Sequence, residues 1–564
     1  MRILFLTVFL VTSAAAQAPT AAIRLDQVGY LPAAAKLAFV AGDPPAEEFT
    51  VRRANDGKIV FRGRLSAPVD DPDAGDRVQS ADFSPLRTAG RYYIEVPNIG
   101  RSWEFEIGPH VYDRVLYLAM RSYYGQRCGT AVDLGPEFPG YRYGACHRTG
   151  AWHDSSGRSG PAPSARGWHD AGDYGRYVVN SGITTGTLLW TFELFRPVAE
   201  KLRLNIPESG DTTPDILDEI RWNLEWMLAM QDADGGVWHK QTSEKFASFI
   251  MPDQDTMTSY IIGTGAPPFK STCATADFAA VMAITARVWP DFDADFARRA
   301  RAASEAAWAW AEKNPSVPFT NPRGVSTGAY GDRDCSDEML WAASELWRTT
   351  RNEKYSNYFL ANWEKFRPMI AHDRPPAWPQ VAPLALWGWA LSGGEKSGEI
   401  RRLILAAADE LAARTAKNGY RVSLLRKDYV WGSNSVAANY GLQLLVAHRL
   451  EPRPQYLEAA ADNLHYLLGR NPISVCYVTR VGANPVRHPH HRPSGADSNP
   501  EPWPGLLAGG PNARRQDPAM KKLAEGTPPA KMFLDEQDSY ATNEVAINWN
   551  APLVFLLAGV LSGK

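Results

Sequence analysis

From Pro109 onward the apolar residues recur at helical spacing, in about twelve separate segments. They are 111–125, 177–196, 214–231, 273–288, 294–313, 335–350, 353–369, 381–391, 397–416, 433–448, 454–469 and 551–562. In the third, Ile216, Ile220, Leu224, Met227 and Leu228 share one face, with Thr213 placed to cap it and Pro214 in its first turn. Periodicity of this kind dictates a large all-α domain. Before it, from Ile23 to about Gly108, short β-rich runs such as KLAFV, EEFTVRR and GRYYIEV are separated by turn residues including Asn55-Asp56-Gly57. Their alternation predicts an antiparallel sandwich of immunoglobulin type. The predicted organisation is residues 1–18 as a leader, 19–108 as the sandwich and 109–564 as the helical domain.

The leader reads MRILFLTVFLVTSAAAQA. One basic residue, a short apolar run and a small-residue end make a secretory signal peptide, so a secreted protein, extracellular or periplasmic, is expected. No later segment reaches the length of a membrane span. The net charge of −2 over 564 residues leaves no large field for nucleic acid or anionic membrane. The 19 Trp and 22 Tyr point instead to a neutral partner, because flat aromatic faces stack on the C–H faces of sugar rings. Three long stretches lack helical period, 128–176, 232–272 and 471–545, and are packed with Gly, Pro, His, Asp, Asn and aromatics. Loops of that length in a compact domain are usually functional.

Five cysteines are too few for a disulfide framework. Cys273, Cys335 and Cys476 sit in apolar patterns and are expected as plain core residues. Cys128 and Cys146, with His147 next to the second and His169 beyond, are two thiolates and two imidazoles, a tetrahedral zinc set. A Cys128–Cys146 disulfide, or His153 in place of His169, would use the same residues.

Two stretches carry candidate catalytic carboxylates. GWHDAGDYGRY, 167–177, sets Asp170 and Asp173 three apart, on one face of a turn, where both could hold one water. A helix cap or a calcium loop would also account for them. DSYATNEVAINWNAP, 538–552, places Glu544 before the last helix, whose start Asn550 and Pro552 mark. Taken alone, a glutamate there is more often a helix-start charge than a catalyst.

DAGDYGRY together with TNEVAINWNAPLV resembles the two active-site signatures of glycoside hydrolase family 9, the cellulase family built on an (α/α)6 barrel. GANPVRHPHHR, 482–492, resembles its histidine motif, with His490 and Arg492 at the marked positions. IRLDQVGYLP resembles the opening of the immunoglobulin-like module that precedes one branch of the family. These motifs fall in order over nearly the whole mature chain.

The resemblance implies an inverting endo-β-1,4-glucanase acting on β-glucan: Asp173 the base, Asp170 positioning the water, Glu544 the acid, and a monomer is expected. His490 and Arg492 would hydrogen-bond sugar hydroxyls, and Tyr540 would contact a ring. Metal binding or loop packing are the other roles open to His490. The resemblance also implies a structural Zn²⁺ on Cys128, Cys146, His147 and His169. A structural Ca²⁺ is implied on Ser494, Asp497 and Asn499, and a second on Asp332, Asp334, Asp337 and Glu338. In the second set a partner aspartate is missing, since 378–381 reads WPQV with Gln380. The acidic group Glu208, Asp211, Asp215, Asp218 and Glu219 is expected as helix-start charge. The same catalytic set would serve an exo-acting enzyme releasing glucose, cellobiose or glucosamine. The alternative of another class is a non-catalytic glycan-binding protein on this scaffold.

Overall fold

The computed structural model describes residues 18–42 and 45–563, so the leader lies almost wholly outside the described residues. The N-terminal domain pairs two sheets. One runs β1 (Ile23–Arg24), β3 (Leu37–Ala41), β7 (Asp76–Asp82), β6 (Val69–Asp71). The other runs β2 (Gly29–Tyr30), β10 (Phe105–Ile107), β8 (Gly90–Val96), β4 (Glu48–Arg53), β5 (Ile59–Arg64), with β9 (Gly100–Arg101) beside β8. Alternation does the sorting. Along β8, Tyr92, Ile94 and Val96 are buried while Arg91, Tyr93 and Glu95 face outward.

The sandwich is not wholly antiparallel as expected, because β2 joins β10 in parallel. That approach requires glycine: a Cβ on Gly29 would stand 1.9 Å from the Glu106 carbonyl oxygen. The turn before β2 is also where the two domains meet. Asp26 Oδ2 lies 2.8 Å from His465 Nδ1. The Gln27 amide donates to Ser474 O at 2.9 Å and accepts from Asn484 N at 2.7 Å. The sandwich thereby grips the segment that leads into the histidine motif.

The second domain contains twelve helices of eleven residues or more among the described residues. In chain order they are α1 (Asp113–Gly125), α2 (Val178–Leu194), α3 (Asp215–Ala229), α4 (Thr272–Val288), α5 (Ala294–Lys313), α6 (Ser336–Thr350), α7 (Glu353–Phe366), α8 (Ala382–Ser392), α9 (Ser397–Lys417), α10 (Ser433–Leu450), α11 (Pro454–Leu467) and α12 (Ile547–Ser562). The even-numbered helices pack in sequence, α2 on α4, α4 on α6, α6 on α8, α8 on α10 and α10 on α12, and α12 returns to α2. Each odd-numbered helix packs against one or two of them. Sequence explains the division. Inner helices such as α8, APLALWGWALS, are apolar all round and buried all round, whereas α5 and α9 carry one apolar stripe and an exposed charged face. No described helix is long and apolar enough to cross a membrane.

Four local expectations are corrected. Cys273 and Cys335 are not plain core residues but a disulfide joining the starts of α4 and α6, while Cys476 is a buried free thiol. Helix α12 begins at Ile547, so Pro552 sits inside it. Asn550 is a cross-brace rather than a cap, donating to Gly505 O at 2.7 Å and accepting from Leu507 N at 2.9 Å. Thr213 makes no cap, since the residue preceding α3 is Pro214. The long non-helical stretches also supply strands. β11 (Val132–Asp133) pairs with β12 (Arg142–Tyr143), and a second sheet runs β14 (Pro161–Ala162), β13 (Gly150–Trp152), β17 (Ser259–Ile262), β16 (Lys240–Thr242), β15 (Arg176–Tyr177).

Candidate active site

Three dispersed segments are laced together at one mouth of the helical domain. The Ile547 amide donates to the Asp170 carbonyl at 2.9 Å, the Arg492 amide to the Gly172 carbonyl at 3.1 Å, and the His490 amide to the Asn543 carbonyl at 2.8 Å. Gly172 has to be glycine, since a Cβ there would meet the His490 carbonyl oxygen at 2.0 Å. A cleft of about 1050 Å³ opens over this junction, and Asp170, Asp173, His490, Arg492, Tyr540 and Glu544 all line it.

The two aspartates stand in unlike surroundings. Asp170 is 1% exposed and accepts from Asn180 Nδ2 and from the Tyr330 hydroxyl, each at 2.6 Å. Burial and the neighbouring Asp173 push its pKa up to about 8, against the pull of those two donors. Asp173 Oδ2 accepts from Gly175 N at 3.0 Å and the Tyr177 hydroxyl at 3.4 Å, leaving Oδ1 to the cleft. Glu544 follows the short helical turn Tyr540–Asn543 in extended conformation, its carbonyl held by Gly509 N at 2.8 Å. Burial, Asp173 and Asp170 raise its pKa well above the ordinary value, while Arg492 and a hydrogen bond from Trp431 oppose that shift. Burial and like charge thus favour the protonated form at Glu544, which shares the cleft with the Asp170–Asp173 pair.

His490 Nδ1 meets the Gln537 carbonyl at 2.6 Å. A carbonyl only accepts, so Nδ1 carries the proton and Nε2 of the neutral ring is left as an acceptor. Arg492 is more a brace than expected. Its Nε and Nη1 donate to Ala247 O at 2.8 Å and Gly172 O at 2.7 Å, and its guanidinium lies over Phe246 and Phe249. Tyr540 stands between Trp431, at 5.4 Å, and His490, at 5.8 Å between ring centroids.

Sequence reasoning missed Asn180, Tyr330, Trp378, Trp431 and Phe246, all but Asn180 lining the cleft. No local motif marks them in the sequence, and two are set apart only once the chain is folded. Phe246 and Trp431 are 47% and 39% exposed, unusual for large apolar side chains, and both sit in loops.

Cys128, Cys146, His147 and His169 form a group able to hold a metal ion, with one ligand atom from each inside 4.8 Å of the others. The two cysteines are free thiols rather than a disulfide. His153 lies outside the group, its Nδ1 on Ser155. His147 offers Nδ1 toward Cys128 Sγ at 3.8 Å while its Nε2 contacts Asp255 Oδ2 at 3.2 Å, a carboxylate–histidine pairing that orients a ligand ring. The buried donor set of two sulfurs and two nitrogens fits zinc.

The hard-cation expectations fare differently. Asp497 Oδ2 accepts from Asn499 Nδ2 and Trp503 Nε1, each at 2.9 Å, and Ser494 Oγ accepts from Trp503 N at 3.0 Å, so these oxygens are spent on local donors. In the second set Asp334 turns away to Lys365, 2.9 Å off, and Asp337 Oδ2 accepts from Val381 N at 2.8 Å at the start of α8. Glu338 remains, fully buried beside Asp337 and Asp277 of α4, and among the described residues neither Glu338 nor Asp277 accepts from a hydrogen-bond donor. Both pKa values are driven up by burial and by the surrounding carboxylates.

A family model described as glycosyl hydrolase family 9 matches residues 112–557, and one described as a cellulase N-terminal ig-like domain matches residues 18–101. Endoglucanase D of Acetivibrio thermocellus is 36% identical over 550 residues, covering 96% of this chain and 83% of that protein. A xyloglucan-specific endo-beta-1,4-glucanase of Bacteroides ovatus is 35% identical over 581 residues, 96% of this chain and 94% of that one. The solved structure of a Bacteroides ovatus GH9 protein superposes with a TM-score of 0.87 at 34% identity, covering 97% of this chain and all of that chain.

Proposed function

The chain belongs to glycosyl hydrolase family 9, and from that premise we propose that it cleaves β-1,4-linked glucan chains internally, with inversion, using Asp173 as base and Glu544 as acid. The observation that carries this reading is the meeting of Glu544 with the Asp170–Asp173 pair in one cleft flanked by Trp378 and Trp431. A glucan chain lies along the aromatic faces. A water held between Asp170 and Asp173 attacks the anomeric carbon as Asp173 takes its proton. Glu544 protonates the glycosidic oxygen on the opposite ring face, the C–O bond breaks, and the new hydroxyl has the inverted configuration. His490 Nε2 accepts from a sugar hydroxyl. Arg492 Nη2, unused among the described residues, donates to another, while the rest of that side chain keeps Phe246 at the cleft edge.

We place the helices in an (α/α)6 barrel of six hairpins, supported by the return of α12 onto α2. Zinc on Cys128, Cys146, His147 and His169 would fix the turn that carries Asp170. Calcium is proposed on Ser494, Asp497 and Asn499, and on Asp332, Asp337 and Glu338 with Asp277 as a further ligand. The orphaned buried oxygens support the second of these more strongly than the first. Export through the leader and action as a monomer complete the proposal.

Timed digestion of a soluble mixed-linkage glucan tests the endo assignment. Viscosity should fall before much reducing sugar appears, and a release of only one small product at constant viscosity would overturn it. Asp173→Asn and Glu544→Gln should each nearly abolish both signals while the fold survives.

A further inference from the structure

Lys240 is fully buried, yet among the described residues it forms no ion pair. Its ammonium donates only to neutral oxygens: Asn321 Oδ1 at 2.8 Å, Thr327 Oγ1 at 3.0 Å and Gly328 O at 2.8 Å. A buried cation without a carboxylate beside it is costly, and such a group persists where its field is used.

Two contacts show where that field points. Lys240 in β16 stands directly across from Tyr177 in β15, with Nζ 5.5 Å from the ring centroid, and the Tyr177 hydroxyl reaches Asp173 Oδ2 at 3.4 Å. Thr327 and Gly328, which Lys240 holds, lead within two residues to Tyr330, the donor to Asp170. Tyr330 has φ +44°, a left-handed conformation that a tyrosine keeps only when its surroundings impose it.

We propose that Lys240 is a positioning residue of the hydrolytic site, supplying positive charge behind Asp173 and pinning the 327–330 segment that brings Tyr330 to Asp170. This rests on the reading of Asp173 as the base. Burial lowers the Lys240 pKa to about 7, with Asp173 the opposing charge. Adjacent His239 is held neutral, its pKa lowered to about 3 by burial, and the 321–330 segment presents Lys240 with neutral oxygens.

The test compares Lys240→Met, Lys240→Gln, Lys240→Arg and Asp173→Asn in the full chain on a soluble β-glucan, with folding followed by circular dichroism. In the Met and Gln variants kcat should fall about tenfold or more at nearly unchanged KM. The acidic limb of the pH–kcat profile should move up by about half a unit, because removing a cation makes the base harder to ionise. Lys240→Arg should recover part of kcat. If Lys240→Met does not fold, the Gln variant, which keeps a donor and drops the charge, carries the same readout. An unmoved acidic limb in the folded variants, or a kcat lost only in proportion to folded protein, overturns the proposal. An active Asp173→Asn would instead overturn the reading beneath it.

Discussion

The Tyr330 hydroxyl donates to Asp170 Oδ2 at 2.6 Å, across 160 residues of chain, from a backbone that only its neighbours hold in place. With Asn180 on the other oxygen, it makes Asp170 an acceptor of two short hydrogen bonds that favour the carboxylate over the acid. Burial and Asp173 press the other way. The orientation of the nucleophilic water therefore depends on a phenol that touches neither water nor sugar in the proposed step.

Tyr330→Phe should lower kcat by about 10- to 100-fold, the value of a hydrogen bond to a charged group of roughly 1.5–3 kcal/mol, with little change in KM. Steady-state kinetics on a soluble glucan decide it. A fall in kcat/KM carried by KM alone would assign Tyr330 to substrate binding.

Glu544 yields a prediction of opposite sign for stability and activity. Its folded-state pKa is raised, so the folded state binds its proton more tightly than the unfolded chain. Its contribution is intact below the unfolded value, about 4.3, and is lost progressively as pH rises from there through the raised folded value. Glu544→Gln should thus be nearly inactive, match the parent in Tm near pH 4, and exceed it increasingly toward neutral pH. Melting curves across that range check this, and a variant less stable at pH 7 contradicts it.

The sulfur–nitrogen group predicts about one zinc per chain in protein purified without a histidine tag. Cys146→Ser should reduce the zinc content and lower Tm. Activity should fall with it, because His169 and Asp170 are adjacent. Elemental analysis with calorimetry reads both. Full zinc content in the variant would remove Cys146 from the set.

What could be read from the chain followed from how locally each feature is written. The outer helices announce themselves by apolar period and inner ones such as α8 by near-continuous apolar runs, and the carboxylates of the site lie in compact motifs that need no knowledge of the fold. Tyr330 and Trp431 are single aromatics in loops, indistinguishable in sequence from the many tryptophans that fill the core. Asp277 hides inside the apolar helix α4, and only the approach of Glu338 from α6 gives it meaning. The Cys273–Cys335 bridge spans 62 residues between two helix starts, so nothing local marked it. Lys240 escaped for the same reason, since a lysine in a three-residue strand reads as surface until the sheet buries it.

The central claim is that Glu544 delivers its proton from the face of the sugar opposite the water held by Asp170 and Asp173. Proton NMR of the first products from a β-linked soluble glucan tests it most directly, recorded before mutarotation equilibrates the reducing ends. The account predicts new reducing ends in the α-configuration. β-Configured ends at the earliest times would mean retention, with a carboxylate attacking the sugar itself, and would contradict it.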